Sequence, residues 1–310
     1  MLMLLTMKAK VIQLVLTAIL IAHFPAGSLA SISRAGFSMP DSLLEVTFRY
    51  KTIRNLILLP VTINDTVRVN LILDTGCRNL VLFGTRFNKV FELHPDKKVN
   101  FSGLGSGEPV SGRLSLNNKV SIDAVIGEKI PVVIIPDQEL FKSGDHVDGI
   151  IGYDIFIKFE VELNCSERRI TFRPAIKAEI SPEYEKVAIK VEDGRPIISS
   201  TLLINSKSVS FDLMIDTGSS LGLLLKTTDK SRIREARDSG SVLGRGLNGN
   251  IEGASLLAGR LVLDHLEIEK VRAGIIYSPW HNYASVGMDL IANYSMVLNY
   301  CKSYAGFKKA

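Results

Sequence analysis

The chain has 310 residues, enough for two lobes of ordinary size, and its 46% apolar and 7% aromatic content is that of a folded globular protein. A formal net charge of +5 is spread along the sequence without a long basic tract, which argues against a nucleic-acid partner. Five histidines and three cysteines fall at no metal-ligand spacing, so neither metal nor other cofactor is expected, and at least one thiol stays unpaired.

In chain order, residues 1–30 read as a secretory signal peptide. Lys8 and Lys10 are its only charges, residues 11–24 form an apolar run, and Ser28-Leu29-Ala30 resembles a small-residue cleavage site. The run is shorter than the ~20 residues of a membrane anchor. Export to a periplasm, cell envelope or medium is expected, and the lack of a disulfide-rich framework favours a bacterial source.

Residues 31–43 make a short N-terminal segment, and 44–173 a first lobe. Runs at 44–50 and 58–63 read as strands. The stretch Val69-Asn70-Leu71-Ile72-Leu73 is short enough for a buried strand, and it ends on Asp74-Thr75-Gly76-Cys77. Another apolar run follows at 80–83. Gly103, Gly105, Gly107 and Gly112 then crowd a stretch whose density suits a mobile hairpin tip using positive φ. The G-x-G-x-G string lacks the context of a phosphate loop. A strand at 132–135 precedes Gly149-Ile150-Ile151-Gly152, and a helix is expected after Gly152.

Residues 174–186, with Pro174 and Pro182, read as a linker to a second lobe over 187–310. Strands are expected at 187–191 and 261–263. Phe211-Asp212-Leu213-Met214-Ile215 again ends on a motif, Asp216-Thr217-Gly218-Ser219, followed by apolar residues 221–225. Arg232, Arg234 and Arg237 alternate with Glu235 and Asp238, as on a solvated helix face. Gly244 and Gly246 open a second Gly-rich stretch, and Ser285-Val286-Gly287 precedes another expected short helix.

A lone Asp-Thr-Gly is most often a plain turn. Here its surroundings repeat. Gly152 and Gly287 lie 135 residues apart, as do Glu162-Leu163-Asn164 and Val297-Leu298-Asn299; upstream, Ile63-Asn64 matches Ile204-Asn205 at 141. Two equivalent strand ends can bring Asp74 and Asp216 together across a pseudo-two-fold axis. Like charges that close cannot both ionise easily, so they share a proton and form an acid/base pair. That chemistry suits peptide hydrolysis by an activated water.

The order strand, Asp-Thr-Gly, strand, Gly-rich hairpin, apolar-apolar-Gly resembles the pepsin and retroviral-protease (retropepsin-like) superfamily over roughly residues 44–307. The resemblance implies a mostly β fold of two acid-protease lobes with few short helices, and a monomer that is an internal pseudo-dimer. It implies catalytic roles for Asp74 and Asp216, with Thr75, Gly76, Cys77, Thr217, Gly218 and Ser219 supporting their loops. Ile151, Gly152, Val286 and Gly287 would brace those loops, and Gly103, Gly105, Gly107, Gly244 and Gly246 would form flaps over an extended peptide or protein substrate. Neither tip holds the flap tyrosine of pepsins. Where pepsins carry a Ser or Thr bonded to the catalytic carboxylate, Cys77 is a weaker donor and is expected to tune the pair. The family's terminal strands meet between lobes, which makes a Cys165–Cys301 disulfide conceivable. The alternative function is a peptide-binding module on this fold that has lost turnover.

Overall fold

A computed structural model describes residues 35–138, 140–141, 144–204, 207–234, 240–257, 259–278 and 283–309. The expected signal peptide lies outside them. The described chain is mostly β, with three four-residue α-helices, Tyr153–Phe156, Ser231–Arg234 and Met288–Ile291, and one 3₁₀ turn. The first and third follow Gly152 and Gly287 as expected. The second covers the start of the expected arginine-rich helix.

Three sheets organise the strands. One holds nine strands between Gly36 and Ile151, and another holds ten between Lys190 and Val286. Both are built around the same crossing. In the first, Val67–Leu73 runs parallel to Gly149–Ile151, which pairs antiparallel with Leu80–Phe83. In the second, Lys207–Ile215 runs parallel to Ala284–Val286, which pairs antiparallel with Leu223–Thr227. The registers match, Leu73 opposite Ile151 and Ile215 opposite Val286. Leu71, Ile72 and Leu73 are all buried, because a strand with a neighbour on each side and packing on both faces favours a continuous apolar run.

The third sheet joins the halves, in the order Glu185–Ala188, Tyr304–Lys309, Tyr294–Asn299, Phe159–Asn164, Arg169–Pro174, Val46–Arg49. Its central seam is antiparallel, with Val161 opposite Leu298 and Glu162 opposite Val297. Glu162 and Val297 are the sequence-equivalent pair, so the pseudo-two-fold axis passes between them. Phe159 and Phe172 stack at 5.6 Å within the core, and Phe156 stacks on Tyr300 at 5.3 Å.

Two local expectations change. Residues 187–191 form two strands, since the chain leaves the joining sheet after Ala188 and enters the second large sheet at Lys190. Their apolar alternation continues through Val187, Ile189 and Val191, so the pattern hides the change of partner. Cys165 and Cys301 are both free. The thiol of Cys301 donates to the Ile157 carbonyl at 3.3 Å, while burial raises the pKa of the Cys165 thiol and the neighbouring Tyr50 side chain opposes the rise.

Candidate active site

Each Asp-Thr-Gly caps the end of its strand and bends back. The Asp74 N–H donates to the Ile151 carbonyl at 2.8 Å, and the Asp216 N–H donates to Val286 at 2.9 Å, so each crossing fixes one aspartate backbone. The loops then fold onto their own carboxylates. Gly76 N–H donates to Asp74 Oδ1 at 2.6 Å and Gly218 N–H to Asp216 Oδ1 at 3.1 Å.

The loops grip each other through buried threonines. Thr75 Oγ1 donates to the Ile215 carbonyl at 2.6 Å and accepts from the Thr217 N–H at 3.0 Å. Thr217 Oγ1 donates to the Leu73 carbonyl at 2.8 Å and accepts from the Thr75 N–H at 3.1 Å.

Two glycines locate the carboxylates. A Cβ on Gly76 would stand 3.0 Å from Asp74 Oδ1 and 3.4 Å from Asp216 Oδ1, and a Cβ on Gly218 would overlap the Asp74 carboxyl group. The two side chains therefore converge on one spot. Burial, then the neighbouring Asp216 charge, pushes Asp74 up to about 7 despite the Gly76 N–H. Burial also raises Asp216, opposed by the positive charges of Lys226 and Arg195 and by the Gly218 N–H.

Gly152 and Gly287 lie against the backs of the loops. A Cβ on Gly152 would overlap the Asp74 and Cys77 carbonyls, and one on Gly287 would overlap the Leu221 carbonyl and crowd that of Ser219. The residue after each glycine, the first of its short helix, donates to the loop, Tyr153 N–H to Cys77 O at 2.9 Å and Met288 N–H to Ser219 O at 2.8 Å. Glycine is required here by close backbone approach.

The first half of this arrangement has a counterpart among known proteins. Residues 59–155 match a family model described as aspartyl protease. The match supports an aspartyl-protease family and spans Asp74 through Gly152, leaving the second Asp-Thr-Gly outside it. No curated protein matches the chain.

Two expectations about this site are revised. The Cys77 thiol donates to the Asn79 carbonyl at 3.1 Å, away from the carboxylate. Burial and the Asp74 charge raise its pKa, which keeps it a thiol. At Gly103, Gly105 and Gly107 the backbone is outside the left-handed region, so positive φ is not their reason. They are glycine because the second hairpin, Ser241–Gly246 with Gly249–Leu257, comes up against them: a Cβ on Gly105 would stand 2.6 Å from the Gly249 carbonyl. Gly244 and Gly246 lie on that hairpin's outgoing strand.

Three neighbours escaped the sequence reading. Arg195 follows the turn Asp193-Gly194 and ion-pairs with Asp193 at 2.7 Å; Asp193 also takes Arg78, which directly follows Cys77. Lys226 is half-buried, and burial lowers its pKa to about 8 against the pull of Asp216. Asn248 bridges the two hairpin tips. Only Lys226 left a trace in the sequence, as a charge interrupting the apolar run 223–225. Among the described residues no cluster of three or more His, Cys, Asp or Glu is placed to hold a metal ion.

Proposed function

We propose that the chain is an aspartic endopeptidase, with Asp74 and Asp216 as its catalytic pair. The observation that carries this is the convergence of two carboxylates, both with raised pKa, from two equivalent strand ends locked by Thr75 and Thr217. At mildly acidic to neutral pH such a pair holds one proton. The ionised member takes a proton from a water held between them, and that water attacks the scissile carbonyl carbon. The protonated member donates to the carbonyl oxygen, giving a neutral gem-diol, which collapses as the leaving nitrogen is protonated. The Arg195 charge lowers both carboxylates, whereas Lys226 acts on Asp216 and so favours it as the ionised member of the resting pair.

The substrate is a peptide or protein segment in extended conformation, pairing its backbone with the hairpins around Gly105 and Gly246. The protein acts as a monomer, its lobes at 44–173 and 187–310 doing the work of two subunits. Residues 1–30 direct it out of the cytoplasm, into the envelope or medium of a bacterium.

The test is hydrolysis of a peptide library by the purified protein, with Asp74→Asn as control. Cleavage by the parent and none by the variant is the expected result. Cleavage that persists in the variant, or none by either protein in the presence of tight statine-peptide binding, overturns the assignment. The second result would identify a binding module.

A further inference from the structure

The tips of the two glycine-rich hairpins are joined to each other. The second hairpin turns through Leu247-Asn248, between Gly246 and Gly249, and presents Asn248 to the first. The Asn248 carboxamide accepts from the Gly105 N–H at 2.8 Å and donates to the Gly105 carbonyl at 3.0 Å. It donates also to the Gly107 carbonyl at 3.0 Å. Beside it, the Ser106 N–H donates to Asn250 O at 3.0 Å and the Gly107 N–H to Asn248 O at 2.7 Å. Leu104 packs on a small apolar cluster of the second half, Leu224, Ile251 and Ile276.

A primary amide carries the same donor and acceptor as a peptide unit. By engaging both the N–H and the C=O of Gly105, Asn248 reproduces the two bonds that one residue of an antiparallel partner strand makes. Those are the groups an incoming extended peptide needs. The glycines admit this contact and little else, since a Cβ on Gly103 would lie 2.6 Å from Asn248 Oδ1 and one on Gly105 2.8 Å from it.

Building on the peptidase reading of the cleft, we propose that Asn248 is an internal competitor for substrate, its carboxamide holding the backbone groups of Gly105 until an extended peptide displaces it. A competitor of this kind sets the fraction of molecules open to substrate, and apparent affinity falls by that fraction. It also sets specificity: segments able to offer a free backbone N–H and C=O in register with Gly105 recover the lost bonds, and those with proline at that position do not.

The experiment compares the parent with Asn248→Ala and Asn248→Asp. Amide exchange at Gly105, Ser106 and Gly107 is read in the free proteins, together with affinity for a statine-type peptide and KM and kcat on a cleaved substrate. Asn248→Ala should speed exchange at Gly105, and should tighten inhibitor binding and lower KM about ten-fold, with kcat within about two-fold of the parent. Asn248→Asp keeps the acceptor and loses both donors, so it should fall between. Gly105→Ala, which pushes the tips apart from the other side, should also speed exchange at Ser106 and Gly107. Unchanged exchange and affinity overturn the proposal, as does a fall in kcat at constant KM, which would make Asn248 part of the working site. If no variant hydrolyses peptide, the peptidase reading fails alone, and statine-peptide binding with amide exchange still decides Asn248. A chain that binds no peptide overturns both.

Discussion

Thr75 and Thr217 hold each other's loops through four reciprocal hydrogen bonds of 2.6–3.1 Å, and neither side chain is exposed to solvent. Each hydroxyl serves as donor and acceptor at once, so neither has an apolar substitute of equal value. Thr75→Val keeps the shape and leaves the Thr217 N–H and the Ile215 carbonyl without partners. An orphaned buried polar group costs about 1–3 kcal/mol. Thr75→Val should therefore lower the melting temperature by several degrees, and Thr75→Ser should restore most of it. Equal melting of the Val variant and the parent would show that the grip is not holding the halves.

The two carboxylates should be separable by function but not by fold. Asp74→Asn and Asp216→Asn should each abolish turnover, because the pair acts as a unit. Both variants should stay folded, since each carboxamide can still accept from the glycine N–H at 2.6 or 3.1 Å. Linkage adds a stability signature. An Asp whose folded pKa is raised to about 7 binds its proton more tightly folded than unfolded. Stability therefore falls as pH rises from about 4 to 7. Melting temperatures across that window should decline less in Asp74→Asn than in the parent.

Lys226 should set the acid limb of the rate profile. Its positive charge holds Asp216 below where burial alone would put it. Lys226→Met should raise the pKa of the ionised member, moving the acid limb upward in pH with little change in melting temperature. Cys77→Ser is the contrasting case. The thiol bonds Asn79 and not the carboxylate, so both limbs should stay in place. A profile that moves with Cys77 and not with Lys226 would contradict the charge assignment.

Gly76 and Gly218 look equivalent in sequence and are not in space. A Cβ at 76 meets the nearest carboxylate oxygen at 3.0 Å, a few tenths of an ångström of adjustment, whereas one at 218 overlaps the Asp74 carboxyl group. Gly218→Ala should cost at least about a hundred-fold in kcat/KM, as expected when a reacting group is displaced by an ångström. Gly76→Ala should cost much less. Similar losses in the two variants would mean that the pair is arranged symmetrically.

The pair was legible because a repeat can be counted. Two tripeptides at equivalent strand ends, with Gly152 and Gly287 at a fixed spacing, require the two halves to share one topology. Short-range patterning also placed Tyr153–Phe156 and Met288–Ile291. What stayed hidden depends on contacts between distant segments. Asn248 sits 143 residues from Gly105, and nothing around either residue names the other. The tip glycines were legible as glycines but not for their reason, because positive φ and close approach select the same residue. Residues 187–191 kept their apolar alternation while changing sheets, since burial is indifferent to which sheet provides it.

The seam between Val161 and Leu298 also acts as a ruler for the chemistry. It is only three residue pairs long, yet buried polar groups pin it. Glu160 is fully enclosed and is held by Arg173, Asn299 and Tyr304, while Asn299 also donates to the Ala175 carbonyl at 2.9 Å. A slip of one residue would turn each strand over and strand that carboxylate among side chains that cannot solvate it. It would also slide one half past the other by about 3.4 Å, more than any bond between Thr75 and Thr217 can span. Alignment of the two carboxylates is thus set partly by polar side chains in another sheet, and misregistration there would yield a folded protein with a broken centre.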